Sequence, residues 1–231
     1  MTTKLKPYPK YKDSGVEWLG DVPQEWEVKR LRFIAKYKNS NVDKKSYDGQ
    51  KPVLLCNYTD VYYNEKITNN LEYMKATASD NEIKNMSLNM HDVVITKDSE
   101  SPDDIGIPAL VTEVLYNVVC GYHLTVFEQS CSVVGKYIYR TLQAESTKYY
   151  FSVETPGVTR YGLGQDTIGN ILFALPPPEE QTTIATYLDT QTAKIDTLIK
   201  KSKQAIELLK EKRTALITAA VTGKIDVREC V

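Results

Sequence analysis

The chain has 231 residues, 42% apolar and 26% charged, with a net charge of −1. That is a soluble globular composition with room for one domain of about 175 residues and one further long element. No run approaches 18 uninterrupted apolar residues and the basic, Tyr- and Pro-rich residues 1–12 have no apolar segment behind them, so neither a membrane span nor a secretory signal is expected and the cytoplasm is the default compartment.

Four scattered cysteines (Cys56, Cys120, Cys131 and Cys230) form no C-x-x-C pair, and there are two histidines, His91 and His123, so the sequence argues against a zinc site or a disulfide scaffold. Composition alone does not suggest nucleic acid. The distribution of charge leaves room for a basic face: residues 1–50 carry 11 basic against 7 acidic groups, and residues 51–130 carry 5 against 12.

Residues 8–28 are aromatic and turn-rich, with Trp18 and Trp26 set between glycines and Pro23; they read as a segment pinned to a surface by large aromatic anchors. Residues 28–37 alternate apolar and basic groups, as a short strand or helix leading into the domain. From 52 to 173 the chain is mostly short β-like runs, at 53–58, 92–96, 109–115, 116–119, 124–128 and 171–175. Residues 143–153 read as a helix. The expected fold class is α+β: a mixed domain over residues 1–178 with a twisted, largely antiparallel sheet, followed by one long helix.

Three stretches of this domain combine polar and aromatic groups as loops. They are residues 57–64, with Asn57, Tyr62 and Tyr63; the charged run 97–104, beginning at Lys97; and the Gly-punctuated run 155–165, displaying Arg160, Tyr161 and Gln165. Arg pairs bidentately with guanine, Asn or Gln with adenine, Glu or Asp with the cytosine amine, and Lys with phosphate. Should the chain meet DNA, these seven residues are the expected base readers, with Lys44 and Lys45 on phosphates.

After Pro176-Pro177-Pro178 come 43 residues, 179–221, without Pro or Gly; Gly223 follows. A proline run cannot continue a preceding element, and its fixed φ leads into a helix. With Ile184 as a d position, alternating steps of four and three reach Leu188, Gln191, Ile195, Leu198, Ser202, Ala205, Leu209, Lys212, Leu216 and Ala219. Eight of these eleven are apolar, and Ile199, Ile206 and Ala220 widen the stripe. Lys194, Lys200, Lys203, Lys210 and Glu211 cover the other face. Such a helix, over 179–222, is about 65 Å long and needs a partner along its seam. The polar seam positions Gln191, Ser202 and Lys212 suit an assembly of fixed register, at some cost in stability. Residues 223–231 are a tail.

Catalytic motifs are missing. The triple proline is followed by Glu179 rather than an aromatic residue, as an adenine methyltransferase loop would require. Pro102-Asp103 has no acidic-x-Lys triplet downstream for a metal-dependent nuclease. Gly162 and Gly164 lack a βαβ context. His91 and His123 show no acid-base partner, so binding is the better class.

Residues 11–26, running through Asp13-Ser14-Gly15-Val16-Glu17-Trp18-Leu19-Gly20 to Pro23-Gln24-Glu25-Trp26, closely resemble the N-terminal segment of the specificity (S) subunits of type I restriction-modification systems. Leu175-Pro176-Pro177-Pro178-Glu179-Glu180-Gln181, Ile195-Asp196-Thr197-Leu198-Ile199 and Thr222-Gly223-Lys224-Ile225-Asp226-Val227-Arg228 share the likeness, as does the run 95–106. The resemblance implies a non-catalytic subunit that reads one half of a split double-stranded DNA site and places modification (methyltransferase) subunits, and through them a restriction subunit, on it. S-adenosylmethionine, ATP and Mg²⁺ would belong to those partners, and the chain itself would hold no cofactor or metal. Family members typically carry two recognition domains and two spacer helices. One of each here implies an antiparallel homodimer, paired through Ile184, Leu188, Ile195, Leu198, Ile199, Ile206, Leu209 and Leu216, and a palindromic split target. The alternatives are a half-length chain that pairs with a different half-length chain, and a coiled-coil protein-interaction adaptor without DNA specificity.

Overall fold

Alternation along one strand organises the domain. In the computed structural model, which describes residues 5–228 apart from 131–132, 156 and 158, strand β8 (Val93–Thr96) is buried on both faces. Val93 and Ile95 point into one apolar cluster and Val94 into another. Its neighbours β10 (Pro108–Val111) and β12 (Leu124–Glu128) divide the same way: Leu110 and Phe127 join the first cluster, while Ala109, Val111, Leu124 and Val126 join the second. Period-two side-chain direction therefore makes this sheet the partition between two cores. It is completed by β4 (Lys36–Asn39) and β6 (Lys66–Ile67), in the order β4-β12-β8-β10-β6.

Beyond the second core lies a three-stranded sheet, β11-β5-β7, made by β5 (Lys51–Cys56), β7 (Met74–Ala78) and β11 (Val118–Cys120), with the helix α2 (Asp80–Met86) beside it. Across the first core pack α3 (Gly135–Leu142), α4 (Glu145–Glu154) and α5 (Gln165–Asn170), which contribute Ile138, Leu142, Phe151 and Ile168. Three small pairs finish the architecture: β1 (Tyr11–Asp13) with β2 (Asp21–Pro23), β3 (Glu27–Arg30) with β14 (Leu172–Leu175), and β9 (Asp98–Ser99) with β13 (Tyr161–Gly162). The remaining helices are α1 (Tyr58–Tyr62) and α6 (Pro178–Val221). The β6–β10 and β5–β11 pairs are parallel and the others antiparallel, as expected of a mixed but largely antiparallel α+β domain.

Several boundaries differ from the sequence reading. Residues 28–37 split into β3, a 3₁₀ turn at Leu31–Phe33 and β4, because its two ends pair with different sheets. The run 109–115 stops at Val111, just past the end of its register with β8, and 116–119 begins its strand only at Val118, because Asn117 takes φ +58°. Residues 57–64 are not a loop. Most of them form α1. A helix at 143–153 was expected and α4 matches it, but α3 precedes it, signalled by the helical spacing of Val134, Tyr137, Ile138 and Leu142.

Pro178 opens α6, where its missing N–H costs nothing. Two side chains of that first turn then fasten it. The Glu180 carboxylate accepts from the Tyr8 hydroxyl at 2.6 Å and from Trp26 Nε1 at 3.2 Å. The fully buried Gln181 donates to the Pro176 carbonyl at 2.9 Å and accepts from the Val134 N–H at 3.0 Å. At the other end Gly223 takes φ +71°, and the Lys224 N–H returns to the Ala219 carbonyl at 2.8 Å, a left-handed cap that satisfies a terminal carbonyl.

The chain divides into two compact units, residues 1–185 and 186–231. In the first, Ile184 packs against the domain core, so its apolar side chain is partly covered within its own unit. In the second, Ile195, Leu198, Ile199, Ile206, Leu209 and Leu216 are exposed, along with Leu208 and Ile217 outside the predicted stripe. No helix is long and apolar enough to cross a membrane, among the described residues. Cys131 and Cys230, and Pro156 and Val158 of the Gly-punctuated run, lie outside the described residues.

Candidate nucleic-acid interface

Where β5 ends, Asn57 starts α1. The Asp60 carboxylate accepts from the Asn57 N–H at 2.7 Å, and Val61 is buried beneath the helix as its anchor. Burial raises the Asp60 carboxyl above its usual range, and the Asn57 N–H partly opposes this. One turn of helix brings residues four apart together, so Tyr58 and Tyr62 stack at 5.4 Å between ring centroids and 18° between planes. Tyr63 stands edge-on to Tyr62 at 4.8 Å and is 76% exposed. Three aromatic rings thus leave one short helix toward one side.

Facing them is the segment from Lys97 to Asp104. The Tyr62 hydroxyl donates to the Asp104 carboxylate, which holds the phenol protonated by pushing its pKa up to about 12. The phenol of Tyr58 is raised chiefly by burial, against a hydrogen bond with Ser99 that lowers it. Asp98 Oδ2 lies 2.7 Å from His123 Nδ1. An ionised carboxylate only accepts, so the imidazole proton sits on Nδ1 and Nε2 is left as an acceptor when the ring is neutral. This corrects the expectation that His123 lacks an acid-base partner: Asp98 lies 25 residues away in sequence, and the two are joined because the Lys97 N–H donates to the His123 carbonyl.

The pairing of β9 with β13 sets Tyr161 opposite Ser99 and Gly162 opposite Asp98, which carries Arg160 to the same place. A Cβ on Gly162 would sit 3.3 Å from Asp98 Oδ1, so the close approach of these strands suits glycine. Together these groups line a cleft of about 450 Å³, bounded by Lys44, Asn57, Tyr58, Tyr62, Tyr63, Asp98, Glu100, Asp104, His123 and Arg160. Lys44, Glu100 and Arg160 are exposed.

Five of the nine expected DNA-binding residues therefore converge: Lys44, Asn57, Tyr62, Tyr63 and Arg160. Lys97 stands beside them, its ammonium 4.6 Å from the Tyr122 ring centroid. Tyr161 is half-buried against the domain core. Lys45 and Gln165 are exposed but do not line the cleft; the Gln165 carbonyl accepts from Tyr37 on another face. Tyr58, Asp98, Glu100, Asp104 and His123 were not among the DNA-binding residues expected from the sequence. For Tyr58 the signal was there, in its spacing of four from Tyr62. Among the described residues no group of three or more His, Cys, Asp or Glu side chains is placed to hold a metal ion.

Residues 23–208 match the family described as type I restriction modification DNA specificity domain. One similar protein is the type I restriction enzyme EcoBI specificity subunit of Escherichia coli, 38% identical over 74 residues, which are 32% of this chain and 16% of that one. A solved structure described as the structural basis underlying complex assembly and conformational transition of the type I R-M system has a similar fold. Its TM-score is 0.67 at 16% identity, over 87% of this chain and 47% of the other. The HsdS subunit of Thermoanaerobacter tengcongensis gives a TM-score of 0.56 at 15% identity, over 81% and 41%. The alignments thus span less than half the length of those structures and a smaller share of the curated relative. With most of its length matched, the chain belongs to the type I restriction modification DNA specificity domain family.

Proposed function

We propose that the chain reads one half of a bipartite double-stranded DNA site, and that two copies pair through antiparallel α6 helices to set two such domains on one target. The cleft carries this reading. It brings an arginine, an asparagine, a lysine and stacked tyrosines, groups able to meet base edges and phosphates, together in a member of a DNA specificity family. The exposed apolar stripe from Ile195 to Leu216 supports the pairing, since a contiguous apolar face on a helix marks a protein contact. Methylation and cleavage would be done by modification and restriction subunits held on the site, which would also bring S-adenosylmethionine, ATP and Mg²⁺. The chain itself supplies sequence choice and no catalysis.

The test is co-expression with a cognate modification subunit in a methylation-free host, followed by genome-wide mapping of N6-methyladenine. A palindromic split motif is expected. An asymmetric split motif would mean that a different recognition domain completes the pair. No new methylation, with the partner shown to be active, would leave the exposed helix as the working part and the chain as an interaction adaptor.

A further inference from the structure

The cleft pairs an aromatic platform with acceptors, and duplex DNA offers few groups that suit both. Tyr58 and Tyr62 stack, Tyr63 stands at their edge and is largely exposed, and the cleft volume is within the range that holds a planar ligand. An exposed ring in such an array gives apolar contact to base edges in a groove. The hydrogen-bonding groups narrow the choice. Along the side that faces the rings run Asp98, Glu100 and Asp104, with the imidazole of His123 held by Asp98. A phosphate oxygen entering there would meet like charge at three carboxylates, which Lys44 and Arg160 alone do not outnumber. An exocyclic amino group on that side meets carboxylate acceptors. In the major groove that group is offered by adenine at N6 and by cytosine at N4, and by neither guanine nor thymine. Asp98 is engaged by His123 and Asp104 by Tyr62, so each keeps acceptor capacity, while Glu100 stands exposed at the lining.

We infer that the cleft takes the edge of one amino-bearing base, adenine or cytosine, with Tyr63 as the ring packed against that edge and Glu100 and Asp104 as the acceptors of the amino group. This rests on the DNA-reading function proposed above. The carboxylates have a second effect: they repel the O6 of guanine and the O4 of thymine, so a base without an amino group at this position loses the hydrogen bonds and meets repulsion. The acidic side of the cleft thereby adds to specificity by penalising wrong sequences as well as by binding the right one.

The experiment uses the full chain co-expressed with the modification subunit, and compares methylated motifs of the wild type, Glu100→Gln, Asp104→Asn, Tyr63→Ala and Tyr63→Phe. Glu100 and Tyr63 are exposed, so their variants are expected to keep the wild-type thermal midpoint. A glutamine amide both accepts and donates. Glu100→Gln is therefore expected to relax one position from adenine or cytosine to admit thymine or guanine, whose O4 and O6 accept, and to leave every other position unchanged. The base found there in the wild-type motif tells N6 from N4 recognition. Tyr63→Ala is expected to slow methylation of the cognate site about tenfold, with Tyr63→Phe close to wild type, because apolar contact needs the ring rather than the hydroxyl. A wild-type motif that stays unchanged in Glu100→Gln and Asp104→Asn overturns the inference, and so does uniform loss at all sequences. Those outcomes leave the DNA-reading function standing, whereas absence of any wild-type motif removes both.

Discussion

Arg160 and Lys44 line the same cleft and answer to different parts of a duplex. A guanidinium can hold guanine by two bonds, so Arg160→Ala is expected to cost about 1–3 kcal/mol on the cognate site and to relax one position. Lys44 is a point charge suited to phosphate. Its replacement by Ala should weaken all sequences alike and flatten the salt dependence. Competition binding on cognate and unrelated duplexes at two salt concentrations separates the two, and equal loss from Arg160→Ala on both duplexes would reassign it to the backbone. A different residue shows what the sequence kept hidden. A Cβ on Gly135 would overlap the His91 carbonyl oxygen, at a residue that itself holds φ +73°. Gly135→Ala should therefore shift the start of α3 and destabilise the domain by about 1–3 kcal/mol in urea unfolding. Nothing local to Gly135 announces this, because His91 is brought to it by the fold. The same physics explains the partial convergence of the expected DNA-binding residues. Asn57, Tyr62 and Tyr63 come together through one short helix, whereas Gln165 belongs to α5, across the first core, where sequence spacing carries no information.

Among the elements, α6 was legible almost to the residue, because 43 positions without Pro or Gly between a proline run and a glycine cap leave a long helix as the natural structure. By contrast α1 was not, since five residues fixed by one buried valine and a back-bonding aspartate carry no period to read. The first turn of α6 held a further surprise in Gln181, a polar residue with no exposed surface. It bridges a helix start and the end of β14, so Gln181→Ala leaves the Val134 N–H and the Pro176 carbonyl without that partner. The expected cost is about 1–3 kcal/mol, seen as a lower thermal midpoint of the full chain. The exposed stripe makes an independent claim. Leu209 is 65% exposed in a helix whose apolar face is wide enough to pair. Leu209→Asp would put a charge into that seam and should shift the chain toward monomer in sedimentation over a concentration series, with the unfolding of residues 1–185 unchanged. An unaltered mass would show that the stripe is not the interface between copies.

At the scale of the assembly, the pairing of two helices would fix the distance between two reading domains, and hence the number of base pairs left unread between half-sites. A four-residue insertion near Ser202 tests this, because four residues are close to one helical turn. The seam is then advanced by about one turn with a modest rotation, a stutter that a coiled coil absorbs by local unwinding. Each helix lengthens by about 6 Å, and B-DNA rises about 3.4 Å per base pair. The half-sites themselves should not change, since Lys44, Asn57, Tyr63 and Arg160 all lie in the first unit and the insertion lies in the second. The expected product, read by N6-methyladenine mapping, is a motif with the same specified bases and a gap longer by roughly one to three base pairs. A gap that stays the same with methylation intact would mean that spacing is set by the modification subunits rather than by α6. A changed set of bases would mean that the cleft is not the part of the molecule that reads them.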